Sequence, residues 1–240
     1  MEIVMQQPPD EVTARRLSAR FGAAPAESVL ALALDRFEGR VALVSSFGAE
    51  AAVLLHMLSR IDPAVPILML DTLLLFPETL AYQSDLTERF GLSDVRRITP
   101  DEATDPDRTL HLRDSEACCA LRKVAPLEAA LTGFDAVITG RKRFQTRHRA
   151  ELPAFEFEAG RLKVNPLASW SAAQVAAYFE AHDLPRHPLV ARGYPSIGCA
   201  PCTSPVNAGE DSRAGRWRGE AREECGIHFA PDGRPQRRAG

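Results

Sequence analysis

The stretch Val41-Ala42-Leu43-Val44-Ser45-Ser46-Phe47-Gly48-Ala49-Glu50 joins a strand to the start of a helix. Four consecutive apolar residues open it, which is typical of a strand covered on both faces of a parallel sheet. A serine-containing turn follows, and good helix formers begin at Ala51. A strand that enters a helix in this way points backbone N–H groups at an anion. The alternative is a plain turn with a serine cap.

Strands and helices alternate on both sides of this stretch. Further strands are predicted at 66–71, 94–99 and 135–140, and helices within 11–38, after Phe76-Pro77, and over 115–131 with a kink at Pro126. This alternation predicts an α/β fold with a doubly wound, mostly parallel sheet. After residue 151 we expect a hairpin and a helix over 171–181. Beyond Asp183 we expect an irregular, partly mobile C-terminal segment.

The bulk composition excludes several classes of protein. The 240 residues carry a net charge of −3, which does not favour non-specific binding to nucleic acid. No apolar run approaches the roughly 20 residues that a membrane span needs, and the first ten residues lack a signal-peptide pattern. We therefore expect a cytoplasmic protein with reduced thiols. Its five cysteines are then ligands or nucleophiles rather than a disulfide framework.

Four of the cysteines form two pairs, Cys118-Cys119 and Cys199-Ala200-Pro201-Cys202. Neighbouring side chains on a helix point about 100° apart, so the first pair reaches one centre only if the helix is distorted or the centre is large. A [4Fe–4S] cubane needs one thiolate at each of four separate irons and suits an adjacent pair. Zinc, with its usual C-x₂₋₄-C spacing, is the second interpretation, and small buried core residues are the third.

Charged side chains follow other predicted strands at the edge where α/β sheets bind ligands. Asp71 ends one strand and would either bond a sugar hydroxyl or cap the next segment. The run from Thr139 to Arg149 contains four arginines and one lysine, and we interpret it as a cleft for a phosphate or sulfate ester rather than a solvated loop. Lys123, one turn beyond Cys119, would add a cation beside the metal site.

The fifth cysteine, Cys225, lies alone near the C-terminus, followed by Gly226 and His228. It is either an incidental exposed thiol or a nucleophile. In an electropositive cleft the thiol would ionise more easily and attack better.

Together these motifs resemble those of the assimilatory adenylylsulfate (APS) reductases, the iron–sulfur branch of the sulfonucleotide reductases. The resemblance extends from about Val41 to His228. It is carried by Ser45-Ser46-Phe47-Gly48-Ala49-Glu50, Leu70-Asp71-Thr72, Leu75-Phe76-Pro77-Glu78-Thr79, Cys118-Cys119-Ala120-Leu121-Arg122-Lys123, Thr139-Gly140-Arg141-Lys142-Arg143-Phe144-Gln145, Lys163-Val164-Asn165-Pro166-Leu167, Gly193-Tyr194-Pro195-Ser196-Ile197-Gly198-Cys199-Ala200-Pro201-Cys202, Gly209-Glu210-Asp211-Ser212-Arg213-Ala214-Gly215-Arg216-Trp217 and Glu224-Cys225-Gly226-Ile227-His228.

The resemblance implies the adenine-nucleotide α-hydrolase (PP-loop) fold and reduction of APS to sulfite and AMP, for sulfate assimilation and cysteine biosynthesis. Thioredoxin or glutaredoxin would be the reductant. The resemblance implies that a [4Fe–4S] cluster is held by Cys118, Cys119, Cys199 and Cys202, and that Cys225 is the nucleophile and forms an S-sulfonate. It implies that the phosphosulfate is bound by Lys123, His228, Arg213 and Arg216. The nucleotide would be bound by Ser45, Ser46, Phe47, Gly48 and Leu70. We add Asp71, Arg141 and Arg143 as substrate contacts.

The implied organisation is N-terminal helices over 1–40, a nucleotide-binding domain with the iron–sulfur site over 41–203, and a flexible segment with the nucleophile over 204–240. A homo-oligomer is compatible with the sequence. The chain departs from the family pattern at Leu73-Leu74, where Gly-Arg is usual, and at Phe144, where Asp is usual. Three alternatives stay open: reduction of 3′-phosphoadenylylsulfate (PAPS), an adenylyl transferase or ATP pyrophosphatase on the same fold, and a non-enzymatic zinc domain.

Overall fold

A computed structural model describes residues 8–220 of the protein. The helices are α1 (Glu11–Phe21), α2 (Ala26–Arg36), α3 (Ala51–Ile61), α4 (Pro77–Arg89), α5 (Ser115–Cys119), α6 (Ala125–Ala130) and α7 (Ala172–Ala181), and the strands are β1 (Val41–Ser45), β2 (Ile67–Leu70), β3 (Val95–Ile98), β4 (Ala136–Thr139), β5 (Phe155–Glu158) and β6 (Arg161–Val164). The alternation predicted from the sequence is confirmed.

The six strands form one sheet in the order β3-β2-β1-β4-β6-β5. All neighbouring pairs are parallel except β5 and β6, the predicted hairpin. The chain builds outward from β1 through β2 to β3, and then returns to place β4 on the other side of β1. The strand order therefore reverses between β1 and β4, and open α/β sheets bind ligands at such a point.

Successive residues of the central strands face two different cores. Leu43, Ile67 and Ile138 point into the larger core with helices α2 and α3. Ala42, Leu68 and Val137 point into a smaller core, which is covered by Leu127 of α6 and by Leu131, the residue that follows this helix. This burial on both faces explains why the central strands are continuously apolar, and it confirms the doubly wound prediction.

The helix predicted over 115–131 is interrupted before its proline. An α-helical turn ends at Cys119, a π-helical turn spans Ala120–Val124, and α-helix resumes at Ala125. Pro126 stands in the first turn of α6, where its missing N–H is tolerated. The distortion of the helix thus lies in the turn between the cysteine pair and Pro126.

The chain from 184 to 220 contains only short 3₁₀ turns and isolated bridges, as expected for an irregular segment. It is fastened to the rest of the protein by backbone hydrogen bonds. Ala200 N–H donates to Leu74 O at 2.8 Å, and Trp217 N–H donates to Cys202 O at 3.1 Å. Among the helices of residues 8–220, none has the length and apolar character required to cross a bilayer.

Candidate active site

A cavity of about 430 Å³ opens at the point where the strand order reverses. It lies at the carboxyl ends of β1 and β4, beside the turns that follow Ser45 and Thr139. Eight of the residues predicted to contact substrate or phosphosulfate line it: Ser45, Ser46, Gly48, Leu70, Lys123, Arg141, Arg213 and Arg216. The volume is within the range of small-molecule sites.

The conformation of the turn after β1 depends on Phe47, a residue that does not line the cavity. Phe47 has a left-handed backbone with φ of 47° and is fully buried in the larger core. Its N–H donates to Ser45 Oγ at 3.2 Å. The predicted contact of Phe47 with substrate is therefore not supported by its position, because its ring anchors the turn instead. Gly48 keeps the turn close to Ile197 O, 3.3 Å from where a Cβ would lie.

The Asp71 carboxylate also stabilises the local structure, because both of its oxygens bind other parts of the protein. Its Oδ1 accepts from Leu73 N–H at 3.0 Å, and its Oδ2 pairs with the Arg97 guanidinium from β3. The carboxylate is 3% exposed and does not line the cavity. Of the two roles considered for Asp71, the structure supports the cap of the following segment.

Two cations of the basic run after β4 are paired with acidic side chains. Arg141 pairs with Glu156, and Lys142 Nζ lies 2.9 Å from Glu50 Oε2. Burial lowers the pKa of Lys142, and the Glu50 carboxylate opposes that shift. Arg143 donates to Leu152 O at 2.9 Å and lies outside the cavity lining. This segment therefore supplies less positive charge than its sequence suggested, and Arg143 is not placed to meet substrate.

A second, smaller cavity adjoins the first and brings the four paired cysteines together. It is lined by Cys118, Cys119, Cys199 and Cys202 with Thr72, Leu74, His111, Ser115, Arg122 and Lys123. Burial raises the pKa of the Cys118 thiol to about 11, and the neighbouring Cys119 and Cys199 thiols add to the shift. Thr72 Oγ1 lies 3.2 Å from Cys199 Sγ. Within 8–220, no three His, Cys, Asp or Glu side chains converge tightly enough to hold a single metal ion.

Arg122 connects the cysteine helix to two neighbouring loops. It is 1% exposed, and its guanidinium donates to Asp105 Oδ2 at 2.6 Å, to Asp105 O at 3.0 Å and to Thr72 O at 3.0 Å. The π-helical turn thus carries a charge that ties together two loops facing the thiols. Turns of this kind are rare and frequently mark functional sites.

Lys123 and Cys199 line both cavities. Any ligand that fills the larger cavity therefore ends beside the four thiols. Arg216 approaches the same region from the C-terminal segment and lies over the Trp217 ring at 4.4 Å. Cys225 and His228 lie outside the described residues.

Comparison with known proteins assigns the family. The family described as phosphoadenosine phosphosulfate reductase domain matches residues 40–205, which is more than half of the chain. The chain belongs to this reductase family. The resemblance inferred from the motifs is confirmed at that level.

Relatives in this family carry two different substrate names. The chain is 49% identical to an adenosine 5′-phosphosulfate reductase of Chelativorans sp. (strain BNC1), with 91% of this chain and 92% of the relative covered. It is 39% identical to a phosphoadenosine 5′-phosphosulfate reductase of Gloeobacter violaceus, with 95% and 100% covered. The crystal structure of a PAPS reductase from Candida auris in a phosphate complex has a TM-score of 0.72 at 27% identity, covering 82% of this chain and 98% of that one.

The positions that depart from the family pattern all lie near the two cavities. Leu73 has a left-handed backbone with φ of 59°, a conformation suited to the glycine usual there. Leu74 lines the cysteine cavity in place of an arginine, and Phe144 lines the larger cavity with 42% of its surface exposed. These substitutions make both sites more apolar.

Sequence reasoning gave no site role to Thr72, His111, Ser115 or Arg122, although all four line the cysteine cavity. In the sequence, Arg122 could be recognised only as a member of the motif around Cys118-Cys119, with no role of its own. Its partner Asp105 is 17 positions away in a loop without a recognisable pattern. No local signal could have joined these residues.

Proposed function

We propose that this protein reduces adenylylsulfate to sulfite and AMP, with a thiol protein such as thioredoxin or glutaredoxin as reductant. One observation carries the proposal: Lys123 and Cys199 line both the nucleotide-sized cavity and the cavity of the four thiols. A nucleotide bound at the sheet edge would then extend its anionic end toward Lys123. Arg213 and Arg216 line the same cavity and would meet the phosphosulfate.

A [4Fe–4S] cluster on Cys118, Cys119, Cys199 and Cys202 is part of the proposal. The residues of the cavity fit such a group, because soft thiolates favour iron–sulfur centres. The thiols share one cavity with Lys123, whose charge would offset part of that of the thiolates. A cubane spreads its irons over separate corners, so its ligands need not meet at a single point as zinc ligands do. When bound, the cluster would supply a local electrostatic field beside the sulfate.

The chemistry would be performed by Cys225. Its thiolate attacks the sulfate sulfur, the bond from sulfur to the bridging oxygen breaks, and AMP leaves. Cations around the phosphate stabilise the charge that develops there. A thiolate of the partner then attacks Cys225 Sγ, and sulfite leaves with the electron pair of the broken S–S bond. The second thiol of the partner resolves the mixed disulfide, so the dithiol has supplied two electrons.

An external dithiol is required by the number of thiols. The chain has five cysteines, and four ligands leave only Cys225, with no second thiol to resolve its adduct. Reduced dithiol proteins are maintained in the cytoplasm, and we propose that the protein works there. His228, three residues after Cys225, would contribute to binding the sulfate.

Mass spectrometry after incubation with APS alone tests the scheme. We expect one sulfonate adduct, on Cys225, which is released as sulfite when thioredoxin is added. The Cys225→Ser variant should bind APS and form no sulfite. Turnover by that variant, or an adduct on another cysteine, would contradict the proposal.

PAPS reduction is the second candidate, favoured by the name of the Gloeobacter violaceus relative. Arg149 and Arg161 also line the larger cavity and would offer charge to an additional phosphate. The ratio of kcat/KM for the two nucleotides decides between them. We expect APS to be preferred, as the name of the 49% identical relative suggests.

A further inference from the structure

One ring nitrogen of His111, a residue beside the four thiols, lacks a hydrogen-bond partner among the described residues. His111 lies in the 3₁₀ turn Leu110–Leu112 and lines the cysteine cavity. Its Nδ1 is buried and has no hydrogen-bond partner among residues 8–220. A buried polar atom left without a partner costs about 1–3 kcal/mol, so an acceptor or donor inside this cavity is expected.

The two hydroxyl groups of the cavity lining, those of Ser115 and Thr72, have hydrogen-bond partners other than His111. Ser115 Oγ donates to Glu220 Oε2 at 3.0 Å. Thr72 Oγ1 accepts from Leu74 N–H at 3.3 Å and lies 3.2 Å from Cys199 Sγ. Arg122 and Lys123, the cations of the cavity lining, can only donate. Four cysteine sulfurs line the same cavity, so sulfur is the acceptor that the cavity offers to His111 in greatest number.

The turn that carries His111 is connected to the cysteine helix by the Asp105 carboxylate and by backbone hydrogen bonds of Asp114. Asp105 Oδ1 accepts from Thr109 N–H at 3.1 Å and from Leu110 N–H at 3.2 Å. Its other oxygen, Oδ2, accepts from Arg122 in the turn that follows Cys119. Asp114 N–H donates to Leu110 O, and Cys118 N–H donates to Asp114 O. The turn that carries His111 is thus tied to the cysteine helix by two short chains of hydrogen bonds.

We propose that His111 Nδ1–H donates a hydrogen bond to a sulfur of the iron–sulfur centre and is a positioning residue for that centre. This inference rests on the cluster named under the proposed function. Hydrogen bonds to the sulfurs of such clusters are among the factors that set their reduction potentials. A donor to sulfur stabilises the more negative, reduced form, and so raises the potential. It also favours retention of the cluster.

The test compares three proteins purified anaerobically: wild type, His111→Phe and His111→Asn. Phenylalanine fills the space without a donor, whereas the Asn amide can place an N–H near the position of Nδ1. Iron and acid-labile sulfide per chain, the reduction potential, the resonance Raman Fe–S bands in H₂O and D₂O, and the rate of iron loss to a chelator are measured. Leu112→Ala, at a neighbouring residue with 75% of its surface exposed, is the control.

We expect His111→Phe to retain iron on isolation, to have a lower potential, to lose a D₂O-sensitive shift of the Fe–S bands and to release iron several-fold faster. His111→Asn should restore the wild-type values in part, and Leu112→Ala should match wild type. A wild-type cluster with unchanged bands, potential and iron release in His111→Phe would overturn this inference alone. Wild-type protein without iron and sulfide would overturn both the inference and the proposed cofactor.

Discussion

The guanidinium of Arg216 lies where a side chain on Gly198 would have to be. A Cβ built on Gly198 falls 2.3 Å from Arg216 Nη2 and 2.5 Å from its Cζ. The glycine immediately before Cys199 therefore leaves room for the cation that the C-terminal segment brings to the larger cavity. The loop that carries Cys199 and the guanidinium of Arg216 are thus in direct contact at Gly198.

Gly198→Ala should therefore displace Arg216 and weaken the contact that we propose it makes with the phosphosulfate. A hydrogen bond to a charged group contributes about 1.5–3 kcal/mol, so we expect kcat/KM to fall about 10- to 100-fold with iron content unchanged. The matched control is a double-mutant cycle. In an Arg216→Ala background the glycine substitution should have little further effect, and additive losses would contradict the mechanism.

The strained backbone at Leu73 predicts an unusual effect of glycine. Leu73 has φ of 59°, a region that costs a non-glycine residue about 1–2 kcal/mol. Leu74, the next residue, does not have a positive φ, and it lines the cysteine cavity. Leu73→Gly should leave the free energy of unfolding unchanged or raise it by up to about 1 kcal/mol, whereas Leu74→Gly should lower it by about 1 kcal/mol or more.

Urea unfolding of the two glycine variants and wild type measures this difference. If Leu73→Gly proves as destabilising as Leu74→Gly, the side chain of Leu73 matters more than its backbone strain. Backbone strain at position 73 would then not explain why glycine is usual there in the family pattern.

Much of the fold follows from the apolar patterns in the sequence. Continuous runs such as Val41–Val44 predict strands buried on both faces, and parallel strands end at the same edge. Ser45 and Arg141 could therefore be placed together before the structure was known, and both line the cavity.

Charge pairing could not be predicted from the same patterns. Arg141 and Lys142 looked like part of an electropositive cleft, but Glu156 and Glu50 neutralise them. These partners lie 15 and 92 positions away, and local spacing carries no information about such contacts. The burial of Phe47 could not be predicted for a related reason, since a short turn motif does not say which of its side chains enters the core.

The buried ion pair between Arg122 and Asp105 predicts a large loss of stability on truncation. Both side chains are at most 3% exposed. Removal of one partner of such a pair typically costs about 3–5 kcal/mol, because the other charge is left buried and uncompensated. Arg122→Ala should therefore unfold at markedly lower urea concentration and retain little iron.

Arg15→Ala is the matched control for this substitution. Arg15 pairs with Glu11 on α1, and their side chains are 78% and 55% exposed. Exposed pairs of this kind contribute about 0–1 kcal/mol, so this variant should resemble wild type. Equal effects of the two substitutions would mean that burial does not determine the strength of the Arg122 pair.

His187 predicts a pH-dependent loss of stability. Burial lowers the pKa of this imidazole from 6.5 to about 4. Nδ1 accepts from Leu189 N–H at 3.2 Å, so the neutral ring carries its proton on Nε2, which lies 3.1 Å from Thr79 Oγ1. A second proton on Nδ1 would oppose the Leu189 donor. The residue thus fastens the segment that leads to Cys199 onto α4 only while it is neutral.

The direction of the effect follows from proton binding. The unfolded chain binds a proton at this residue below about pH 6.5, and the folded chain does so only near pH 4. The stability that the neutral ring contributes is therefore complete above pH 6.5 and is lost as the pH falls toward 4. The shift corresponds to at most about 3 kcal/mol, and we expect roughly 1–2 kcal/mol because local opening admits water to the charged ring.

His187→Asn isolates this contribution, since its Oδ1 can still accept from Leu189 and it does not titrate. The free energy of unfolding in urea, measured from pH 7.5 to pH 4 for both proteins, should fall more steeply for wild type below pH 6.5. The two curves should converge as the acid limit is approached, because protonation removes the wild-type advantage. Parallel curves over the whole range would mean that His187 is protonated in the folded protein near its ordinary pKa, so that its buried contacts with Thr79 and Leu189 do not hold it neutral.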